Sequence, residues 1–222
     1  MADIPADSIG DDEITITICE PNIPTFEFVD LPGIRAYPQA VAELTENLVR
    51  KYLANKDSLI LCVVPATAPR LTSDRSFGLV QEYKKESQTI VALTRTDLIH
   101  PPDFGRLVVD RVLKRTTEFD NIALAGCIAI VNRAHNGPYT LAEFDAMEIA
   151  WFRDNVEAQL ATCPESEAKA AAARMTLSRL VERLDRLYGD YICKEWKHRA
   201  LEQLATMSAV AADVLTELGP DV

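Results

Sequence analysis

The stretch Ser58-Leu59-Ile60-Leu61-Cys62-Val63-Val64 is short and almost wholly apolar. A run of this length and composition is typical of a strand that lies buried inside a parallel sheet. Thr89–Thr94 and Cys127–Val131 are two further runs of the same character, and segments with helical spacing separate the three. Because strands and helices alternate, the sequence predicts an α/β fold whose parallel sheet is covered on both faces.

Amphipathic helices are predicted where apolar residues recur three or four positions apart. Thr72-Ser73-Asp74 offers side-chain oxygens that cap the first turn of one such helix. Beyond Asn136-Gly137-Pro138 no further strand is predicted. The predicted helices are Val41–Tyr52, a helix carrying Phe77, Val80 and Tyr83, then Phe104–Thr117, Leu141–Ala161 and a long stretch from Ser166 onward.

Two more strands are predicted near the N-terminus. β-branched residues alternate over Ile14–Ile18, and Thr25–Val29 follows after a short loop. These two segments are therefore expected to pair as antiparallel strands at an edge of the sheet.

The long C-terminal helical stretch carries one apolar stripe, which has to pack against something. One interpretation is a helix that closes on its own domain, and the other is an exposed interaction seam. The stripe consists of Leu177, Leu180, Val181, Leu184, Leu187, Tyr188, Tyr191 and Ile192.

The length of 222 residues and the hydrophobic fraction of 48% predict one α/β core with an appended element. The formal net charge is −11, which disfavours binding of nucleic acid or anionic lipid through a general basic field. A phosphate-bearing ligand therefore has to be held by a local site. Neither a signal peptide nor a stretch long enough to span a bilayer is recognised, so we expect a soluble, cytoplasmic protein.

The five cysteines, an odd number, include no C-x-x-C pair, and several lie inside apolar runs. This pattern predicts reduced, buried thiols rather than a disulfide framework or a zinc site.

Polar residues follow three of the predicted strands, at the edge where α/β sheets bind their ligands. Asp30-Leu31-Pro32-Gly33 comes directly after the strand at Thr25–Val29. Asp30 could hold a magnesium ion through water, and Gly33 would let a backbone N–H approach a terminal phosphate. The same four residues would also make an ordinary turn.

Thr94-Arg95-Thr96-Asp97 and Asn132-Arg133-Ala134-His135 follow two further strands. The carboxylate of Asp97 could accept two hydrogen bonds from one edge of a guanine, which adenine cannot supply. Alternatively, Asp97 caps the turn before Pro101-Pro102. The second loop could line the same pocket, although by itself it is an ordinary loop.

The order and spacing of these segments resemble the dynamin superfamily of large GTPases, whose GTPase domain carries V-D-L-P-G, T-K-x-D and V-N-R segments. The matching residues are Val29-Asp30-Leu31-Pro32-Gly33, Thr94-Arg95-Thr96-Asp97 and Val131-Asn132-Arg133. The similarity extends over roughly Ile14 to Arg199. It implies a P-loop-GTPase-like, mainly parallel sheet with flanking helices, incomplete here and followed by C-terminal helices.

The resemblance also implies the ligands, GTP or GDP with Mg²⁺. Asp30 and Gly33 would face the magnesium and the γ-phosphate. Asp97 would bind the guanine, with Arg95 along the base and ribose, where the family has a lysine. The other implied nucleotide contacts are Thr94, Thr96, Asn132, Arg133 and His135.

The 222 residues contain no G-x-x-x-x-G-K-[ST] loop, which cradles the phosphates in GTPases. We interpret residues 1–195 as a GTPase-domain remnant truncated at its N-terminus, and residues 196–222 as the start of a helical bundle or stalk. In the family, GTP hydrolysis is coupled to self-assembly and membrane remodelling. This chain is expected to hydrolyse GTP poorly, to contact membranes only indirectly, to bind no nucleic acid, and to lie in the cytoplasm or peripherally on membranes or cytoskeleton.

The rival hypothesis is a non-catalytic protein that docks onto complete dynamin-like partners, or onto itself, through its C-terminal helices. An unrelated α/β enzyme would need another nucleophile or base. None of the three histidines, His100, His135 and His198, belongs to a sequence pattern that would supply a nucleophile and base for such chemistry.

Overall fold

The computed structural model describes residues 14–17, 19, 27–132, 140–161 and 163–219. The chain divides into two compact units, Met1–Ser58 and Leu59–Val222. This division does not coincide with the predicted boundary at residue 196, which stays a prediction.

The first unit contains helix α1, Gln39–Leu53, as predicted from its apolar spacing. The buried side chain of Thr45 organises the N-terminal half of α1. Its hydroxyl donates to the carbonyl of Val41 at 3.0 Å and accepts from the backbone N–H of Arg35 at 3.4 Å. Thr45 thereby ties the segment before the helix to the helix itself.

The two strands predicted near the N-terminus are wrong for the residues that the structure describes there. Residues 14–17, 19 and 27–29 adopt no strand, and the side chains of Ile14, Ile16 and Phe28 are 88%, 80% and 70% exposed. Residues 18 and 20–26 lie outside the described residues. Alternating β-branched residues fit a sheet, but a strand forms only where a neighbouring strand accepts its hydrogen bonds.

The second unit is built on a three-stranded parallel sheet in the order β1-β2-β3, which confirms the predicted fold class. Its strands are β1, Ile60–Pro65, β2, Thr89–Thr94, and β3, Gly126–Ala129. The sheet stops two residues before the predicted end at Val131. The N–H of Ile130 still donates to the carbonyl of Leu93 at 2.9 Å, and the N–H of Val131, which faces away from β2, donates to the carboxylate of Glu148 at 2.8 Å.

Helices of the second unit alternate with these strands and then follow them. They are α2, Arg75–Glu82, α3, Pro101–Phe104, α4, Asp110–Val112, α5, Leu141–Leu160, α6, Glu165–Ala172, α7, Leu177–Tyr191, and α8, Lys197–Leu218. The π-helical segment Gly105–Val109 joins α3 to α4, and Ile192–Trp196 joins α7 to α8. The caps follow sequence rules, since Asp74 accepts from the N–H of Ser76 at 2.9 Å and Thr140 forms a capping box with Glu143.

The predicted long helix from Ser166 is interrupted between α6 and α7. Met175 forms a parallel bridge with Ala129 of β3 there. The N–H of Ala129 donates to the carbonyl of Arg174, and the N–H of Thr176 donates to the carbonyl of Ala129, both at 2.9 Å. These bonds to the sheet replace helical ones, so good helix propensity is overridden by a tertiary contact.

Both faces of the sheet are covered, as expected. One face packs Val64, Val91 and Leu93 against α2, the π-helical segment and α5. On the other face, Ile90, Ala92 and Ile128 pack against Leu180, with Leu177, Leu184 and Leu187 alongside. The apolar stripe of α7 therefore closes largely on its own domain, which supports the first interpretation of that stripe, although Val181 is 58% exposed.

Helix α8 leaves an apolar face uncovered by the described residues. Most of the exposed apolar side chains recur three or four positions apart, and Val214 and Leu215 are adjacent. They are Leu201, Leu204, Met207, Val210, Val214, Leu215 and Leu218. Within the described ranges, no helix combines the length and the apolarity that a membrane span requires.

A buried ion pair fixes the segment that follows β1. The guanidinium of Arg111 contacts the carboxylate of Glu118 at 3.1 Å and donates to the carbonyls of Ala66 and Ala68 at 3.0 and 2.8 Å. Glu118 in turn accepts from the N–H of Leu71 at 2.7 Å. The side chains of Arg111 and Glu118 are 2% and 13% exposed, so little solvent screens the pair.

Arg111→Met is expected to lower the free energy of unfolding by about 3–5 kcal/mol, because it leaves the Glu118 carboxylate buried without its cation. Urea denaturation measures this loss. The control is Arg106→Met, whose ion pair with Asp103 is exposed, and a change within about 0.5 kcal/mol is expected there. Equal losses in the two variants would contradict the role given to Arg111.

Candidate functional site

Hydrogen bonds join the segments that leave the carboxyl ends of β1, β2 and β3. The N–H of Ala66, after β1, donates to the carbonyl of Thr94 at 2.7 Å. The hydroxyl of Thr96, after β2, donates to the carbonyl of Ile130 at 2.8 Å. The N–H of Arg95 donates to the side-chain oxygen of Asn132 at 3.0 Å. Two of the three predicted site loops therefore lie side by side.

The backbone of Arg95 adopts a left-handed conformation, with φ of 56°. A side chain in this region costs about 1–2 kcal/mol relative to ordinary backbone. The hydrogen bond to Asn132 holds this conformation and starts the short 3₁₀ turn Thr96–Leu98. The turn buries Thr96 and leaves Arg95 and Asp97 exposed on the same rim as Asn132.

The two threonines of this loop serve as its framework. Thr94 and Thr96 are 8% and 0% exposed, and their hydroxyls are directed to backbone carbonyls, of Val64 at 3.5 Å and of Ile130 at 2.8 Å. The groups available to a ligand are the side chains of Arg95, Asp97 and Asn132. The carboxylate of Asp97 accepts no hydrogen bond from the residues that the structure describes, so nothing there supports the alternative of a turn cap.

Glu148, on α5, helps to position the loop that follows β3. Its carboxylate is 1% exposed and accepts from the N–H of Val131 at 2.8 Å and from the N–H of Leu177 at 2.6 Å. Burial raises the pKa of Glu148, and the two backbone N–H groups oppose that effect. One side chain thus connects the start of α7 to the residue before Asn132.

Sequence reasoning missed Glu148. It occupies a buried position four residues after Phe144 and four before Phe152, so it interrupts the apolar face of α5. A carboxylate in such a position has to be satisfied by hydrogen bonds. This interruption is the signal in the sequence that could have identified it.

For the remaining predicted site residues, a place at this rim stays a prediction. Asp30 and Gly33 belong to the first unit, so their convergence with the loops of the second unit stays a prediction. Asp30 is exposed, and a Cβ added to Gly33 would meet no atom within 4 Å. Local packing therefore does not require a glycine at position 33. Arg133 and His135 lie outside the described residues.

The implied ligands fit the described residues unequally. An exposed carboxylate, a guanidinium and a carboxamide suit the edge and face of a guanine base. For Mg²⁺ the described residues contain no group of three or more His, Cys, Asp or Glu side chains that could hold a metal by themselves. The exposed carboxylate of Asp30 could bind Mg²⁺ only together with nucleotide phosphates and water, as is usual for this ion.

The cysteines are free thiols, and two of them, Cys62 and Cys127, are buried as predicted. Burial raises the pKa of Cys62 and of Cys127 to about 12, so neither forms the thiolate that nucleophilic chemistry needs. Cys19 and Cys193 are exposed, contrary to the general expectation of buried thiols.

The pH dependence of stability tests the Glu148 connection. Since its pKa in the folded chain lies above the ordinary value of 4.5, the folded state holds this proton more tightly than the unfolded state. Ionisation then disfavours folding, and stability present at low pH is lost as pH rises through the folded-state pKa. As pH rises above 4.5 towards 7, the unfolding free energy of the wild type should fall relative to that of Glu148→Gln.

Chemical denaturation at a series of pH values measures this difference, with Glu157→Gln, an exposed position of the same helix, as the control. A second readout is hydrogen exchange, which should accelerate at the amides of Val131 and Leu177 in Glu148→Ala. A pH-independent difference together with unchanged exchange would show that Glu148 does not hold these two segments.

Comparison with known proteins gives partial matches. The family model described as "Dynamin family" matches residues 3–96. "Interferon-induced GTP-binding protein Mx1" of Oncorhynchus mykiss is 31% identical over 97 residues, 41% of this chain and 16% of that protein. "Interferon-induced GTP-binding protein Mx2" of the same organism is 26% identical over 159 residues, 66% of this chain and 24% of that protein.

"Dynamin-B" of Dictyostelium discoideum is 28% identical over 156 residues, covering 67% of this chain and 16% of that protein. The chain thus matches 16% to 24% of the length of these three relatives. The family match includes the V-D-L-P-G segment of residues 29–33 and ends at Thr96, one residue before Asp97. Together with the parallel sheet of the second unit, these matches make the chain similar, over part of its length, to proteins of the dynamin family.

Proposed function

We propose that this chain binds the base of a guanine nucleotide at the rim formed by the loops after β2 and β3. The observation that carries the proposal is the hydrogen bond from the N–H of Arg95 to the side chain of Asn132. It joins the two loops and leaves the carboxylate of Asp97 exposed beside them. The similarity to interferon-induced GTP-binding proteins supports the assignment to a guanine nucleotide.

The carboxylate of Asp97 is the group expected to select guanine over adenine. Guanine presents two adjacent N–H donors, and the Asp97 carboxylate has two oxygens that can accept both bonds at once. Adenine offers no such pair at that edge, so its binding would leave polar groups unpaired, which costs roughly 1–3 kcal/mol. Selection therefore does not depend on the phosphates.

Arg95 supplies the second contact. Its guanidinium is planar, and its aliphatic stem can lie along a flat ring while the charged group stays in water. Since its backbone is held by Asn132, its side chain starts from a fixed point on the rim. An arginine in place of the family's lysine is thus expected to alter nucleotide binding without abolishing it.

Asp97→Ala is expected to weaken GDP binding at least tenfold, because the carboxylate that accepts both N–H groups of the base edge is removed. Titration with a fluorescent GDP analogue measures this change, and the corresponding ADP analogue should bind weakly and equally to both proteins. Asp103→Ala, which removes an exposed carboxylate on the adjacent helix, is the control and should leave GDP affinity within about twofold. Equal affinity for GDP and ADP in the wild type would refute the proposed selection.

We further propose that the 222-residue chain by itself is catalytically impaired. Its sequence contains no G-x-x-x-x-G-K-[ST] loop, and the described residues form no metal-binding cluster. A triphosphate near Asp30 without a compensating cation would meet net repulsion. GTP hydrolysis coupled to self-assembly and membrane remodelling would then be the work of a longer, complete family member, and the expected location is the cytoplasm or the periphery of membranes.

Purified wild-type chain is expected to release phosphate from GTP no faster than a buffer blank containing Mg²⁺, within the error of a malachite-green assay. The matched reference is a complete dynamin-type GTPase at the same concentration. Turnover by the 222-residue chain at the rate of that reference would contradict the proposed impairment.

A non-catalytic docking role is the second candidate, and the exposed apolar face of α8 favours it. Leu204, Met207 and Leu215 are 61%, 68% and 66% exposed, an arrangement typical of a surface that meets another protein. The partners we propose are other dynamin-like chains or a second copy. A chain that binds no GDP but associates with a complete dynamin-type GTPase, and loses that association in Leu204→Glu, would favour this role.

A further inference from the structure

A cavity of about 490 Å³ opens at the amino end of β3, away from the loops of the guanine site. Gly126, the first residue of β3, lies on its wall, whereas Asn132 lies six positions later, beyond the opposite end of the strand. At about 3.3 Å per strand residue the two positions are roughly 20 Å apart. The cavity is therefore a separate site.

The cavity has a strongly basic lining. Its charged side chains are Lys114, Arg174, Arg179, Glu182, Arg183 and Arg186, which are five cations and one carboxylate. The carboxylate is already engaged, since Glu182 pairs with Arg179 at 2.8 Å. In a chain with a net charge of −11, such a concentration of positive charge is a local feature rather than a general one.

Three of the cations are held in place by neutral partners. Lys114 donates to the carbonyl of Leu124, Arg174 to that of Val112 at 2.8 Å, and Arg183 to that of Ala125. Backbone carbonyls orient these side chains but leave their charges uncompensated. Burial lowers the pKa of Lys114, and the neighbouring charges of Arg174 and Arg183 lower it further.

Carboxylates elsewhere among the described residues neutralise the positive charge of the cavity only weakly. Asp190 lies near enough to feel the charge of Arg183, but its carboxylate pairs with Lys194 at 2.8 Å. Arg186 is exposed and makes no hydrogen bond or ion pair with the described residues. Four of the five cations that line the cavity therefore have no carboxylate as an ion-pair partner among the described residues.

We propose that this cavity binds a small anion bearing two or more phosphate groups. Each guanidinium has five N–H donors and the ammonium group has three. The bonds to carbonyls occupy only some of them, so donors remain for phosphate oxygens, which guanidinium groups bind in bidentate fashion. The volume lies within the range of about 300–1,000 Å³ that is typical of small-molecule pockets and exceeds the space that a single phosphate needs.

Isothermal titration of the full chain with inorganic tripolyphosphate, without divalent cations and at about 0.15 M salt, tests the proposal. At that ionic strength charges more than about 8 Å apart are largely screened. Arg186→Glu should weaken binding at least tenfold, and Arg186→Lys should restore it to within about threefold. Arg153→Glu, the same charge change at an exposed position of α5, should alter the affinity by less than twofold.

A second arm identifies the source of the phosphates. Vesicles containing a phosphatidylinositol bisphosphate are sedimented with the wild type and with Arg186→Glu. Binding of soluble tripolyphosphate that depends on Arg186 supports the proposal with a free anion as ligand. Additional capture on vesicles that depends on Arg186 supports it with a lipid headgroup as ligand.

The proposal is overturned if tripolyphosphate and vesicles both fail to bind, which would make the cations purely structural. It is also overturned if Arg186→Glu and Arg153→Glu weaken binding equally, because the attraction would then be a property of the whole surface. Circular dichroism of each variant confirms folding, and Arg186 is suited to this test since its exposed side chain supports no other described residue.

Discussion

A single buried carboxylate connects the layers on which the proposed guanine-binding rim depends. Glu148 accepts hydrogen bonds from Val131 after β3 and from Leu177 at the start of α7. It therefore ties the start of α7 to the residue that precedes Asn132, whose side chain holds Arg95. An apolar residue would fill the same space but would leave two backbone N–H groups without acceptors, at roughly 1–3 kcal/mol each.

The rim proposed to bind guanine and the basic cavity lie at opposite ends of β3, and the two sites would use charge differently. At the rim, Asp97 is exposed, where its charge would select a base by hydrogen-bond geometry. At the cavity, cations fixed by carbonyls gather in a half-buried space, where their field is stronger than at an open surface. Parallel strands make this separation possible, because all their amino ends share one edge of the sheet and all their carboxyl ends share the other.

The sequence predicted what depends on local composition and missed what depends on distant partners. β2 has the predicted bounds, Thr89–Thr94, because a fully buried strand needs a continuous apolar run. The N-terminal strands, over the residues that the structure describes there, and the unbroken helix after Ser166 were wrong, since pairing partners and the bridge at Met175 decide those segments. The rule that ligands bind at carboxyl ends predicted that the loops of Asp97 and Asn132 meet, and the bond between Arg95 and Asn132 joins them. Glu148 acts from another element, and both the ligand of these loops and the meeting of Asp30 with them stay predictions.

The π-helical segment Ile192–Trp196 joins α7 and α8 without a loop. A π turn takes more residues than an α turn, so it changes the rotational phase of everything that follows it. Leu180 and Leu184 upstream are directed to the sheet, while Leu204 and Leu215 downstream are directed to solvent. Because α8 is exposed on every side over residues 201–218, this continuous helical rod seals its own domain at one end and extends away from the other described residues of that unit at its far end.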